Sequence, residues 1–229
     1  IQPTREEVET AFIKSVNETL SEGGKVLIPI PAVGRAQELM MVIDKYMKSG
    51  QMTESPVFME GMIQEATAIH EAHPEYLERT LRQKILETDD NPFDSEYFTN
   101  IEHADGRDEP LREDSPCIII ATSGMLEGGP VLEYFRNIAP DKNNKILFVS
   151  YQVNGTLGRR VMDGSKQVTI LGKEGKVEIV SINCATERLE GFSGHSDYNQ
   201  LMSFVHRLRP KLRRVLVNHG ERKKCENLS

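Results

Sequence analysis

Two patterns in the sequence predict an α/β fold, with a largely parallel sheet and helices on both of its faces. Short apolar runs rich in β-branched residues alternate with segments whose apolar residues recur at helical spacing. Turns rich in glycine, serine and threonine follow the apolar runs directly and lead into the helices. Strand–turn–helix units of this kind pack as a parallel sheet that helices cover on both faces.

The first half of the chain contains two such units behind an N-terminal helix. Residues 4–20 have helical spacing, and Thr4 with Glu7 makes a capping box at the start. The run KVLIPI predicts a buried strand, which a helix over residues 34–48 follows. The run PVFME and a helix over residues 62–72 repeat this order.

The stretch over residues 88–116 differs from its surroundings. It carries most of the acidic excess, in DD, DSE, DGRDE and RED, beside a short apolar cluster of Phe93, Tyr97 and Phe98. Connections of this length are usually functional lids or disordered segments. We expect a solvated surface excursion here, with a functional lid as the alternative. Before this stretch, a further helix is predicted to begin at Pro74.

The second half of the chain returns to the strand–loop–helix order. CIIIATSGMLEGGP predicts a strand, a loop and a helix that starts at Val131. KILFVSY predicts the next strand, and NGTLGRRV begins a short helix. Two runs of alternating polarity on either side of residues 172–175 predict a β-hairpin.

Residues 191–221 predict a loop with His195, a capped helix, a strand over residues 213–217 and a second loop with His219. In open α/β sheets, the loop after the carboxyl end of a strand is where ligands usually bind. Because His195 starts a helix and His219 ends a strand, we expect the two imidazoles to face a common cleft. The alternative is that each side chain caps or packs only within its own loop.

Length and composition limit the classes of function. The 229 residues suit one large or two small domains, and no apolar run approaches the roughly 20 residues of a membrane span. The formal net charge of −7 disfavours nonspecific nucleic-acid coating but permits a local basic groove. Three cysteines without CxxC spacing suit a reducing cytoplasm, and Cys117 is predicted to be a buried thiol. Because the chain starts at Ile1 and stops where a helix begins, we interpret it as part of a longer protein.

Three loops that follow predicted strands offer groups for binding phosphate. Arg35 lies in the first turn of a helix, where backbone N–H groups and a guanidinium suit an anion. Ser123 and Thr156 supply hydroxyls after two other strands, which predicts one anion-binding edge, although the sequence has no GxxxxGKS/T motif. His70 and His73 are three residues apart on a predicted helix, a spacing more typical of a helix surface than of a metal site.

Five motifs in order resemble those of a known family. They are IPIPAVGRAQELM, ATSGMLEGGP, NGTLGRR, GFSGHSDYNQL and VLVNHGE. Together they resemble the β-CASP branch of the metallo-β-lactamase superfamily, and in particular the archaeal cleavage and polyadenylation specificity factor-like ribonucleases. The resemblance implies a β-CASP domain over residues 1–185. Over residues 186–229 it implies the return of the chain into the αββα fold of the metallo-β-lactamase domain.

The same resemblance implies roles for the two histidines. His219 matches a zinc ligand of the family, and His195 matches a residue that acts beside the scissile phosphate as general acid or stabilises charge. A histidine at the position of His219 is typical of RNA-directed members, whereas DNA-directed members commonly carry an aliphatic residue there. The family's HxHxDH signature is absent from this sequence, and a catalytic zinc needs about three protein ligands. We therefore expect two zinc ions in the full-length protein and none held tightly by this chain alone.

The predicted function is the β-CASP portion of a zinc-dependent ribonuclease that hydrolyses phosphodiester bonds in single-stranded RNA, for RNA 3′-end processing or decay. RNA is the expected partner, no membrane is expected, and the resemblance admits a homodimer of the full-length protein. One alternative is a DNA-directed nuclease of the same superfamily, which His219 disfavours. Another alternative is a noncatalytic RNA-binding or scaffold subunit.

Overall fold

Six parallel strands form the central sheet in the computed structural model, which describes residues 3–88, 90–112, 116–172, 175–192 and 194–228. In chain order the strands are β1 (Val26–Pro29), β2 (Val57–Glu60), β3 (Phe98–Ile101), β4 (Ile118–Ala121), β5 (Lys145–Phe148), β6 (Gln167–Leu171), β7 (Val177–Ser181) and β8 (Ala185–Arg188). The sheet order is β3-β2-β4-β1-β5-β8, and each neighbouring pair is parallel. β6 and β7 make a separate antiparallel hairpin. The predicted α/β class and the predicted hairpin are confirmed.

Helices cover both faces of the sheet, as their apolar spacing predicted. In chain order they are α1 (Arg5–Ser21), α2 (Arg35–Lys48), α3 (Ile63–Ala72), α4 (Arg79–Glu87), α5 (Asp108–Leu111), α6 (Val131–Ile138), α7 (Leu157–Met162), α8 (Tyr198–Leu208) and α9 (Arg222–Leu228). Capping boxes start α1 at Thr4 and α8 at Asp197. In the part of the chain that the structure describes, no helix has the length and apolar character needed to cross a bilayer.

The central strands send alternate side chains into two separate cores. From β1, Val26 and Ile28 join a core with α1 and α2, whereas Leu27 joins a second core with α6 and α7. Every residue of β1, β2 and β4 is buried, because helices or the hairpin cover both faces of these strands. Cys117 lies in the second core as a fully buried free thiol, which confirms its prediction.

The prediction of a solvated excursion over residues 88–116 is wrong where the stretch joins the sheet, whereas residues 102–105 are exposed as expected. β3 lies within it and pairs with β2 at the edge of the sheet, and Phe93 is buried in the first core. A 3-10 helix over Ala104–Arg107 leads into α5. The sequence of β3, FTNI, did not predict a strand because two of its four residues are polar and exposed, as an edge strand permits.

Two further elements differ from their predictions. The helix expected to begin at Pro74 is a single 3-10 turn, and α4 begins only after Glu78, whose carboxylate caps it. The strand expected over residues 213–217 is not formed, and this segment pairs with no strand among the described residues. Its Leu216 is 82% exposed. A β-branched sequence becomes a strand only where a neighbouring strand supplies the hydrogen-bonded ladder.

β8 lies at the predicted domain boundary near residue 185. It pairs in parallel with β5 along its whole length and so completes one edge of the six-stranded sheet. In the described chain after β8, Phe192 is buried in the first core, whereas none of the residues of α8 is buried. The division into two domains at this boundary remains a prediction.

A buried ion pair ties the chain after β3 to the end of β2. Glu60, the last residue of β2, is 8% exposed and accepts hydrogen bonds from Arg107 through Nε at 2.9 Å and through Nη2. Tyr134 OH, on α6, donates to the same carboxylate at 2.6 Å. Burial and this hydrogen bond raise the pKa of Tyr134, so the hydroxyl remains a donor at neutral pH. One carboxylate thus joins three elements of the fold.

We expect Glu60→Ala to lower the free energy of unfolding by about 3 kcal/mol, because the half-buried charge of Arg107 and the buried hydroxyl of Tyr134 lose their acceptor. Chemical denaturation of the variant and the wild type measures the difference. Glu18→Ala is the matched control, since the ion pair of Glu18 with Lys14 on α1 is exposed and worth less than about 1 kcal/mol. Similar losses in the two variants would contradict the role assigned to Glu60.

Candidate nucleic-acid interface and histidine pair

The carboxyl ends of β4, β1 and β5 lie side by side, because these strands are neighbours in a parallel sheet. We refer to the loops that leave them, residues 122–130, 30–34 and 149–156, as the carboxyl edge. Arg35 directly follows the loop after β1, and Ser123 and Thr156 lie in the loops after β4 and β5. The structure places the three predicted phosphate-binding residues at this one edge, where open parallel sheets bind ligands. Their binding of phosphate stays a prediction.

Direct contacts hold the loops of the carboxyl edge against one another. Gly124 O accepts a hydrogen bond from Gln152 Nε2 at 2.8 Å, which joins the loops after β4 and β5. Gln152 is 1% exposed, so this amide is part of the interior. A Cβ on Gly124 would lie 2.7 Å from Pro31 Cδ, and only glycine therefore allows the loop after β4 to pack on the loop after β1. The carboxyl edge is a continuous, closely packed surface.

Two of the predicted phosphate ligands already have local partners. Thr156 caps α7, since its hydroxyl accepts from Arg159 N at 3.2 Å and donates to Val153 O at 2.7 Å. Ser123 Oγ accepts from Glu127 N at 3.1 Å. Hydroxyls in turns and at helix caps ordinarily make such contacts. A phosphate would have to compete with them.

Arg35 is also paired, but its cluster keeps a positive charge. Its Nη1 forms an ion pair with Glu38, and its side chain is 28% exposed. The other carboxylate oxygen of Glu38 binds Arg5, at the start of α1. Arg5 also pairs with Glu9, which in turn pairs with Lys45, so three cations and two carboxylates leave one net positive charge, which attracts phosphate.

The structure brings His195 and His219 together. Their ring centroids are 6.1 Å apart and their planes are 29° from parallel. Both residues are exposed, so a ligand from solvent can reach them. His195 precedes α8, whereas His219 has φ of 71° in the turn before α9. The arrangement lets two imidazoles from separate elements contact one small ligand.

A tyrosine of the carboxyl edge anchors the chain next to His219. Tyr151 OH donates a hydrogen bond to Glu221 Oε1, and Asn154 Nδ2 lies 3.4 Å from the same oxygen. Lys224 Nζ lies 4.7 Å from the centre of the Tyr151 ring, which is a cation–π contact. These contacts place the segment with His219 beside the loop after β5.

The contact between Tyr151 and Glu221 changes the acidity of both groups. The hydrogen bond from Tyr151, assisted by the positive charges of Lys224 and Arg159, lowers the pKa of Glu221. The same hydrogen bond, then burial and the charge of Glu221, raise the pKa of Tyr151. At neutral pH the phenol is therefore protonated and the carboxylate ionised, which gives a charge-assisted hydrogen bond.

The described residues do not fit a catalytic zinc ion by themselves. They contain no group of three or more His, Cys, Asp or Glu side chains placed to hold a metal ion. A catalytic zinc takes about three protein ligands, and His219 with the neighbouring His195 supplies at most two. His70 makes a separate, local contact: its Nδ1 lies 2.6 Å from Ala66 O within α3.

The sequence did not predict three residues of this region. Glu38 had a usable signal, because a carboxylate three residues after Arg35 on a helix is placed to pair with it. Tyr151 and Glu221 are 70 positions apart. Only the folded sheet, which sets the loop after β5 beside the chain before α9, brings them together.

The chain matches two protein families and a set of named relatives. The Beta-Casp domain family matches residues 36–161, and the family described as the Zn-dependent metallo-hydrolase RNA specificity domain matches residues 179–229. Transcription termination factor FttA of Cenarchaeum symbiosum is 77% identical over 100% of this chain. The factors of the same name from Pyrococcus abyssi and a Lokiarchaeum species are 48% and 46% identical over 100% and 99% of the chain. The chain spans only 36%, 35% and 36% of these three proteins, respectively.

Tyr151→Phe is expected to raise the pKa of Glu221 toward the ordinary value of 4.5, because the variant lacks the donated hydrogen bond. The folded-state pKa of Glu221 lies below 4.5, so the contact stabilises the fold above pH 4.5. That stability is lost as the pH falls through the lower folded-state pKa. Carboxyl NMR titration of the variant and the wild type measures the change.

Tyr76→Phe provides the control for this titration, because Tyr76 is 85% exposed and lies between α3 and α4. It should leave the pKa of Glu221 unchanged. If Tyr151→Phe also leaves that pKa unchanged, Tyr151 does not anchor the segment that carries His219.

Proposed function

Because this chain belongs to the Beta-Casp family, we propose that it is part of a zinc-dependent ribonuclease that hydrolyses phosphodiester bonds in single-stranded RNA. The observation that carries this proposal is the pairing of His195 with His219 next to the carboxyl edge. Exposed imidazoles from two separate elements, at the place where parallel sheets bind ligands, are typical of a reaction centre. A packing role would favour burial of the rings, and both residues are exposed.

We assign proton transfer to His195. Cleavage of a phosphodiester leaves an oxygen that needs a proton as its bond to phosphorus breaks, and imidazole can hold and release a proton near neutral pH. His195 is exposed two residues before the N-cap of α8, where an RNA strand from solvent can reach it. The proton then moves from the imidazole to the leaving oxygen.

We assign His219 as one ligand of a zinc ion. Neutral imidazole is a common zinc ligand, and residues 179–229 match a family described as Zn-dependent. The further ligands would have to come from outside the described residues, which hold no group of three metal-ligating side chains. We therefore assign no step on the metal to this chain.

RNA is favoured over DNA as the substrate. The family that matches residues 179–229 is described as an RNA specificity domain, and the relatives are described as transcription termination factors. Transcription termination acts where a transcript is still being made. We therefore propose a nascent transcript as the substrate, in preference to RNA 3′-end processing or decay.

Cations near each histidine suit the phosphate backbone of such a substrate. Arg35 contacts the chain at Gly194, next to His195, and Lys224 contacts Tyr151 beside the segment of His219. The net charge of −7 makes broad attraction to RNA weak, so binding would depend on these local cations. Arg35, Ser123 and Thr156 remain our candidates for phosphate contacts.

In the full-length protein, we expect His219→Ala to lower both zinc content and RNA cleavage, because it removes a metal ligand. His195→Ala should keep the zinc but slow cleavage by about 10²- to 10⁴-fold, the usual effect of losing a positioned general acid. Both variants should bind RNA nearly as well as the wild type, since backbone contacts elsewhere supply most of the affinity. Elemental analysis, RNA binding and single-turnover cleavage provide the three measurements.

His206→Ala is the matched control, because His206 is an exposed histidine of α8 and should change none of these quantities. Loss of zinc in His195→Ala, or full zinc occupancy in His219→Ala, would show that the roles are wrongly assigned. Faster cleavage of single-stranded DNA than of RNA would favour the DNA nuclease. A zinc-loaded protein that binds RNA without cleaving it would favour the noncatalytic subunit.

A further inference from the structure

Three described residues between β8 and His195, namely Gly191, Phe192 and Gly194, lie against α1 and α2. Phe192 is 5% exposed and meets Phe12 of α1 edge to face, with ring centroids 5.7 Å apart. A Cβ on Gly191, which has φ of 123°, would collide with Val8 of α1. A Cβ on Gly194 would collide with Arg35 Nη2 at the start of α2. Contacts with α1 therefore fix Gly191 and Phe192, and Gly194 lies against the Arg35 guanidinium of α2.

Ion pairs join the starts of these two helices. Glu38 of α2 binds Arg5 through one carboxylate oxygen and Arg35 through the other. The Arg5 guanidinium carbon lies 5.1 Å from the centre of the Phe192 ring, a cation–π contact. Each guanidinium that Glu38 holds thus touches the chain leading to His195, one at Phe192 and the other at Gly194.

A second carboxylate fixes Arg5 from the other side. Glu9 Oε1 accepts from Arg5 Nε at 2.6 Å, and Glu9 Oε2 accepts from Tyr46 OH at 2.7 Å and from Lys45 Nζ at 3.0 Å. The Glu9 side chain is only 10% exposed. Because Tyr46 and Lys45 belong to α2, this carboxylate also ties α1 to α2. Arg5 is bound at Nε by Glu9 and at Nη1 by Glu38, so its guanidinium has a fixed position against the Phe192 ring.

Glu38 is the residue on which this arrangement depends. Its single negative charge lies between two guanidiniums, which would repel each other without it. Loss of that charge would release Arg35 from its partner and leave Arg5 tied only to Glu9. Both contacts with the chain before His195 would then change together.

We propose that Glu38 is a positioning residue for His195, acting through Arg5 on Phe192 and through Arg35 on Gly194. Displacement of a reacting group by as little as about 1 Å can cost up to about 100-fold in rate. The proposal rests on the proposed function, because only there does His195 transfer a proton. The effect of Glu38 on the chain before His195 can be measured separately, without an assay of RNA cleavage.

The first test is a double-mutant cycle in the full-length protein. Glu38→Gln keeps the shape of the side chain and removes its charge, and it should slow single-turnover RNA cleavage by about 10-fold. In the His195→Ala background the same substitution should change the rate by less than about 2-fold, because the group that it positions is already gone. Zinc content should stay within about 2-fold of the wild type in both backgrounds, and any gain in RNA affinity from the release of Arg35 should be the same in both.

Hydrogen–deuterium exchange supplies a measurement that does not depend on activity. Glu38→Gln should speed exchange in the peptide over residues 189–197 and leave the hairpin of β6 and β7 unchanged. Glu18→Gln is the matched control, because it removes the charge of an exposed ion pair with Lys14 on α1. It should change neither exchange nor cleavage.

Gly194→Ala provides a second variant that leaves Glu38 in place. Its added methyl group would collide with Arg35 Nη2, so it should push that guanidinium away from Gly194, break the contact that Glu38 controls and slow cleavage by about 10-fold. The double variant with Glu38→Gln should lose much less cleavage rate than the product of the two separate fold losses.

Three outcomes would overturn the proposal. One is an equal loss from Glu38→Gln with and without His195, and another is unchanged exchange over residues 189–197. The third is full additivity of Glu38→Gln with Gly194→Ala. If His195→Ala itself leaves cleavage unchanged, the proposed function fails, and faster exchange in Glu38→Gln would still support control of this chain by Glu38.

Discussion

The parallel pairing of six strands is the constraint on which the candidate site depends. All strands of such a sheet run in one direction, so each connection from a strand to the next helix leaves at the same edge. The neighbouring strands β4, β1 and β5 carry the loops with Ser123, Arg35 and Thr156 to that edge. β8 adds to the same sheet, and the chain that leads to His195 leaves from its carboxyl end. Four distant parts of the sequence reach one edge because the strands share one direction, and direct contacts between the loops then hold them together.

The central strands were predictable, and the edge strands were not, for a common physical reason. β1 and β4 are buried on both faces, so their sequences are unbroken apolar runs that stand out in the chain. β3 and β8 lie at the two edges of the sheet, and their sequences FTNI and ATER carry polar residues that solvent accommodates. The opposite error occurred at residues 213–217, RRVLV, where three apolar residues have no neighbouring strand among the described residues. Local composition indicates which segments are buried, but a strand forms only where a neighbouring strand pairs with it.

The candidate site was predictable in its location and less so in its contacts. Following each strand to its end indicated a shared edge, and the spacing around His195 and His219 indicated a common cleft. The sequence could not distinguish a helix cap at Thr156 from a phosphate contact, because both roles place a hydroxyl just before a helix. Phe192 packs against Arg5 and Phe12, which are about 180 positions away in the chain. Only the folded structure, in which α1 packs on the sheet, reveals this contact.

Photo-crosslinking of RNA to the full-length protein tests the central claim, that the carboxyl edge is the RNA interface. Single-stranded RNA with 4-thiouridine would be irradiated in complex with the protein in the presence of a chelator, which prevents metal-dependent cleavage. Mass spectrometry then identifies the crosslinked peptides. The structure predicts crosslinks within residues 30–35, 122–130 and 149–156 and next to His195. Crosslinks confined to the β6–β7 hairpin and to α4, with none at these loops, would contradict the claim.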